Sequence, residues 1–159
     1  ANCTPGYRDN LKETTALLKD GWLYTGDLGK MRDGHLWITG RAKNLIVSAA
    51  GKNIYPEELE EKLLISDYIE EAVVFGRAKD GRQGEEVRAT LVPDLEQFQV
   101  EFGLDPEHPD RDKVMAVLKQ TVAEVNEHIA GYKRISGFIM QFEELEKTST
   151  KKIKRFFYH

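Results

Sequence analysis

Three short stretches carry side chains suited to a phosphorylated ligand. The first is Tyr24-Thr25-Gly26-Asp27, followed by Asp33-Gly34 and Gly40-Arg41. A carboxylate beside a glycine can accept two hydrogen bonds from vicinal hydroxyls, as on a ribose, and a nearby arginine can hold a phosphate or the same sugar. A turn-capping aspartate with a surface arginine accounts for the same residues. The second runs from Gly40 to Ser48 and from Gly51 to Glu60. Side chains at Ala49, Ala50 and Gly51 are minimal, so a slim ligand or another backbone can come close. An ordinary hairpin leading into a helix is the alternative. The third is Lys147-Thr148-Ser149-Thr150-Lys151-Lys152-Ile153-Lys154-Arg155. Lysine is a compact charge on a flexible stem and suits phosphate or carboxylate oxygens. A solvated basic tail is the plain alternative. A nucleic-acid reading finds stacking groups only at Phe156, Phe157 and Tyr158, which could equally be core.

The elements that must position these stretches can be read from periodicity and turn chemistry. Residues 1–9 read as irregular. Asp9 or Asn10 can cap a short helix with Leu11, Thr15 and Leu18 on one face, stopped at Asp20-Gly21. Residues 22–24, 28–32 and 35–39 read as strands. Asp33-Gly34 is a hairpin turn, since a type I′ turn needs positive φ at both positions. Residues 44–48 read as a strand, 49–52 as a tight turn and 53–55 as an antiparallel return. Pro56 suits the first turn of a helix, with Leu59 and Leu63 on one side. Residues 70–76 and 87–92 read as strands on either side of a turn at 81–84. Residues 98–110 read as a solvated excursion. A helix over 111–129 carries Val114, Leu118, Val122, Val125 and Ile129 on one stripe, and a strand follows at 135–142. The final basic segment shows no period. The expectation is an α+β fold, a small sheet with flanking helices, preceded by a β-rich end of another unit. The boundary is expected at Arg41-Ala42-Lys43.

Composition narrows the classes. The chain has 159 residues with 40% hydrophobic side chains, enough for a core. A formal net charge of −4 argues against a dedicated nucleic-acid binder. The charge is uneven: five basic residues and no acid lie between Lys147 and Arg155, whereas the charges from Glu57 to Glu71 are acidic but for Lys62. Cys3 is the single cysteine, so no internal disulfide forms and a reducing cytoplasm fits. Residues 45–50, the longest apolar run, include a serine and are too short to cross a bilayer. His35, His108, His128 and His159 lack metal-ligand spacing, so no metal site is expected. Ser48 and Ser149 have no paired base in sequence and read as loop hydroxyls. The start, without Met and in an apparent loop, suggests a piece of a longer protein.

The order and spacing of the three stretches resemble the adenylate-forming superfamily: acyl-CoA synthetases, luciferases and peptide-synthetase adenylation domains. The resemblance covers essentially the whole chain, with Thr4-Pro5-Gly6-Tyr7 opening the segment that ends near Gly21-Trp22. It implies that residues 1–42 are the C-terminal end of a large N-terminal, nucleotide-binding domain and 43–159 a mobile C-terminal domain. By it, Asp27 binds the AMP ribose hydroxyls, with Thr25 in the same nucleotide motif, and Arg41 reaches the ribose or phosphate. Lys43 falls at the hinge. Ala50, Gly51 and Lys52 line the pantetheine tunnel. Lys152 bridges the acyl carboxylate and ATP phosphate oxygens during adenylation. The family usually has glycine just before that lysine. Here the residue is Lys151, and counting back from Ile153 and Arg155 favours Lys152 over Lys151. Glu146 stands where proline is common.

The resemblance further implies a two-step ligase using ATP, CoA and Mg²⁺, the metal held mainly by the large domain. The chain alone is then expected to be inactive. His128 and Tyr132-Lys133-Arg134-Ile135, with the Lys147-Thr148-Ser149-Thr150 ending, point toward long-chain fatty acids. An aryl or amino acid substrate and a non-catalytic protein-binding module are the alternatives. Expected partners are the large domain of the same polypeptide and the substrates, with peripheral membrane association of the complete cytoplasmic enzyme compatible with the absence of a spanning segment.

Overall fold

A computed structural model describes residues 4–78, 81 and 83–158. Cys3, His159 and part of the turn expected at 81–84 lie outside the described residues. The chain divides into two compact units, Ala1–Lys43 and Asn44–His159.

The first unit is a short helix and two hairpins. Helix α1 (Leu11–Leu17) is capped by Asn10, whose side chain accepts from Glu13 N at 3.1 Å. Leu18, expected on that helix, instead opens β1 (Leu18–Lys19), paired with β2 (Trp22–Leu23). Asp20 and Gly21 both have positive φ, 50° and 79°, so the pair expected to stop a helix makes a hairpin turn. Strands β3 (Asp27–Arg32) and β4 (His35–Arg41) form the expected hairpin. Asp33 and Gly34, at φ 51° and 76°, form its turn. Trp22, Tyr24, Met31, Leu36, Trp37 and Ile38 are all exposed.

A single 3-10 turn, Ala42–Asn44, replaces the start of the strand expected at 44. The strand shrinks to β5 (Ile46–Val47), antiparallel to β6 (Asn53–Ile54). Helix α2 (Pro56–Leu63) begins with its proline as anticipated. Strands β7 (Ile69–Ala78), β8 (Glu85–Pro93) and β9 (Ile135–Met140) form a sheet in that order, β7–β8 antiparallel and β8–β9 parallel. A parallel neighbour requires a long crossover. Two helices supply it, α3 (Leu95–Phe102) and α4 (Arg111–Glu127).

Helix α3 overturns the solvated excursion expected from residue 98. Asp94 accepts from Gln97 N at 3.0 Å, Phe98 is fully buried, and Gly103 at φ 65° ends the helix. Helix α4 ends at Glu127, two residues before the expected Ile129. The sheet is covered on both faces. Ala72, Val74, Ala89 and Leu91 join Leu59, Leu63, Phe98, Val114, Leu118 and Val122 in the main core. Val73 and Val92 face the other way, onto Leu145, Ile153 and Tyr158. The C-terminal segment, which showed no period, is therefore a packed strap with an isolated antiparallel bridge between Lys147 and Ile153 and a 3-10 turn at Arg155–Phe157. Phe156 and Phe157 are exposed rather than core. No helix among the described residues is long and apolar enough to cross a membrane.

Candidate functional site

In the first unit the β3–β4 hairpin brings Thr25, Asp27 and Arg41 together. Asp27 and Arg41 are cross-strand partners, with Arg41 Nε 3.0 Å from Asp27 Oδ1. Both side chains are partly exposed, so this ion pair adds about 0–1 kcal/mol to stability; its evident effect is to orient the carboxylate. Thr25 Oγ1 accepts from Asp27 N at 3.1 Å, and Gly26 O accepts from Ala42 N at 2.9 Å. Gly26 at φ 75° turns the backbone into β3. A bulge between Leu28 and Gly29 resets the register just beyond the pair. The Asp27 side chain is 30% exposed, which leaves its carboxylate open to a hydroxyl.

Lys43 is exposed in the 3-10 turn between the units. Asn44, next to it, donates from Nδ2 to Glu57 Oε1 at 2.8 Å, within the second unit.

In the second unit, the tight turn expected at 49–52 forms between β5 and β6, with Ser48 closing it. Ser48 N donates to Lys52 O at 3.0 Å and Ser48 O accepts from Gly51 N at 2.8 Å. Ser48 Oγ accepts from Lys52 N at 3.1 Å, and Gly51 has φ 68°. This is a three-residue hairpin loop whose last residue is left-handed. Ala50, Gly51 and Lys52 are exposed at its tip. The Lys52 ammonium lies 4.5 Å from the ring centre of Tyr132, a cation–π contact. The loop is fixed from outside by Glu85, whose carboxylate accepts from Val47 N at 2.9 Å. Gly84 fixes it too. A Cβ there would lie 2.6 Å from the Ser48 carbonyl carbon and closer still to the Ala49 backbone.

The strap carries the third stretch. Two carboxylates moor it. Glu71 accepts from Leu145 N at 2.7 Å and pairs with Lys147. Glu60, buried in α2, accepts from Val74 N at 2.7 Å and pairs with Arg155, whose Nη1 donates to Val74 O at 3.1 Å. Burial raises the Glu60 pKa above its ordinary value, against the opposing pull of Arg155. Hydrogen bonds to Glu71 and then Glu144 raise that of Lys147. Lys154 pairs with Glu146 at 3.4 Å, and Tyr158 Oη accepts from Glu146 N at 2.8 Å. Between these moorings, residues 148–152 form a loop with Lys151 and Lys152 exposed. Of the five basic residues from Lys147 to Arg155, three are tied to acids of the unit. Lys151 and Lys152 have no ion pair or ring contact among the described residues.

Lys151 has φ 59°, a left-handed conformation that favours glycine. Sequence reasoning missed the moorings. Glu60 and Arg155 are 95 positions apart, and no local pattern marks such a pair. The contact of Tyr132 with Lys52, 80 positions away, is likewise unmarked by any local pattern. No group of three or more His, Cys, Asp or Glu side chains among the described residues could hold a metal ion.

Residues 43–156 match the model of the AMP-binding enzyme C-terminal domain, and the chain belongs to that family. It is 47% identical over 88 residues to the long-chain-fatty-acid–CoA ligase of Bacillus subtilis, covering 55% of this chain and 15% of that protein. It is 36% identical over 155 residues to the 2-succinylbenzoate–CoA ligase of Listeria monocytogenes, covering 96% of this chain and 28% of that one. The o-succinylbenzoate CoA synthetase of Bacillus subtilis, solved with its acyl-adenylate intermediate, matches with a TM-score of 0.68 and 28% identity, covering 95% of this chain and 27% of that one. The chain thus spans between about a seventh and three tenths of the length of these relatives.

Proposed function

We infer that the chain is the C-terminal part of an ATP-dependent acid–CoA ligase that forms an acyl-adenylate and then a thioester. In the first half, a carboxylate oxygen attacks the α-phosphorus of ATP and pyrophosphate leaves. In the second, the CoA sulfur attacks the acyl carbon and AMP leaves. Residues 1–42 end the large nucleotide-binding domain, and their exposed apolar side chains, such as Trp22 and Trp37, support a covering partner in the same polypeptide. Residues 43–159 form the mobile domain, pivoting at Lys43.

Asp27 accepts from the ribose hydroxyls, Thr25 stiffens its turn, and Arg41 holds the carboxylate and reaches the phosphate or sugar. Lys152 stabilises charge at the α-phosphate and acyl carboxylate in the first half. Ala50, Gly51 and Lys52 line the thiol channel in the second. Mg²⁺ would shield the ATP phosphates, and we assign its ligands and the acyl pocket to the large domain, so the isolated chain is inactive.

The observation that carries this reading is the strap. It spends three of its cations on internal acids and holds the 151–152 pair out without one. The left-handed backbone of Lys151 supports its standing in the glycine place of the resemblance, with Lys152 as the working cation. Pyrophosphate exchange into ATP by the full-length protein, run across fatty, aryl and amino acids, tests it. Exchange with no acid would remove the reading.

Long-chain fatty acids are the acyl substrate we favour, on the 47% identity of the Bacillus subtilis match. A compact aromatic acid is the second reading, supported by a succinylbenzoate–CoA ligase match over 96% of the chain. The same acid panel separates them. We propose a cytoplasmic location for the complete enzyme, with peripheral membrane attachment under the fatty-acid reading.

A further inference from the structure

The loops at 48–52 and 148–152 are built to one plan. Each opens with a hydroxyl residue, closes with a lysine four positions on, and has a left-handed residue just before that lysine. Thr148 N donates to Lys152 O at 2.8 Å and Thr148 O accepts from Lys151 N at 2.9 Å. Thr148 Oγ1 accepts from Lys152 N at 3.1 Å, the distance at which Ser48 Oγ accepts from Lys52 N. Each loop is also closed from outside by an antiparallel pair, Val47 with Asn53 and Lys147 with Ile153, but the side chains between differ. One has alanines at its tip and the other hydroxyls; one opens with a buried residue and the other with an exposed one. The shared hydroxyl therefore answers a shared geometric need. A left-handed residue turns the following N–H inward, and an acceptor inside the loop fixes the direction in which that lysine leaves the backbone.

We propose that Thr148 and Ser48 are positioning residues, one for each half-reaction: Thr148 aims Lys152 for adenylation, and Ser48 shapes the Lys52 loop for thioester formation. This rests on the two-step ligase reading above. Neither hydroxyl touches a reacting atom; each acts through the backbone of its lysine. Loss of one such hydrogen bond at a preorganised group costs roughly 3- to 10-fold in rate. A role in folding alone would affect both halves alike.

The test uses the full-length protein with Thr148→Val, Thr148→Ser, Ser48→Ala and Ser48→Thr, and Lys152→Ala as reference. Adenylation is read by pyrophosphate exchange, and thioester formation from supplied acyl-adenylate. Thr148→Val should slow adenylation roughly 3- to 10-fold and leave thioester formation within about twofold, with Ser48→Ala the reverse. Thr148→Ser and Ser48→Thr should both run near the parent rates. Equal losses in both halves, or no loss, beside a selective Lys152→Ala would overturn the positioning role. A Lys152→Ala variant that lost both halves equally would remove the underlying reading, and this inference with it.

Discussion

Gly51 and Lys151 hold the same backbone conformation, φ 68° and 59°, at the same place in two loops of one bonding pattern. Glycine adopts it freely; lysine does so against its Cβ. Lys151→Gly should therefore raise stability by about 0.5–1 kcal/mol, the relief of strain exceeding the added freedom of the unfolded chain. Lys151→Val should lower it. Urea midpoints of the three proteins decide the matter, and an unchanged midpoint for Lys151→Gly would contradict the strain.

Removal of the lysine next along should act on chemistry instead. In the full-length enzyme Lys152→Ala should cost on the order of 10²–10³ in adenylation rate, as for one lost preorganised donor. Thioester formation from supplied acyl-adenylate should persist.

The proposed pivot at Lys43 is open to a direct test. Lys43 sits in a 3-10 turn, whose φ proline can adopt. Lys43→Pro should retain adenylation while CoA transfer fails. Normal rates in both steps would remove the hinge role.

Arg155 holds the strap onto buried Glu60. Arg155→Ala should destabilise by about 2 kcal/mol, below the ~3–5 kcal/mol typical of a buried pair because a quarter of the arginine side chain is exposed. The pH dependence has a definite sign. Burial raises the folded-state pKa of Glu60 above its ordinary 4.5. Its contribution is then complete below the unfolded value and is lost as pH rises through the folded one. Without Arg155 the folded value rises further, so stability should fall over a wider span of rising pH. Urea midpoints at several pH values above 4.5, with and without the substitution, would show whether it does.

Phe98 is a test of the main core. Phe98→Ala should cost about 3–5 kcal/mol, since the ring is fully buried and makes tilted contacts with Tyr68 and Phe102, ring centres 5.4 and 5.7 Å apart. A loss under 1 kcal/mol would show that the site collapses to fill the space.

The legible parts of the fold were those where local chemistry and tertiary packing agree. Asp33-Gly34 specifies its turn in two residues, Pro56 marks a helix start, and the stripe from Val114 to Val122 faces the sheet as its spacing requires. Helix α3 was missed although its signs were present: Asp94 as cap, Leu95, Phe98 and Phe102 at helical spacing, and Gly103 as stop. Its polar interior and the acidic stretch after it masked the apolar stripe. For the candidate site, the meeting of Thr25, Asp27 and Arg41 follows from the hairpin turn at Asp33-Gly34, and the two hairpin loops share a hydroxyl-to-lysine spacing visible in the sequence. The moorings were not, because Glu60 meets Arg155 only when helix, sheet and strap are assembled.

Gly84 leaves one last mark on this arrangement. Its missing side chain is the clearance that lets the Ser48–Ala49 backbone pass. Adding a single methyl group there would lever the Lys52 loop away from the sheet without altering any residue of the loop itself, so the reach of that lysine is gauged by a neighbour whose whole contribution is an empty space one carbon wide.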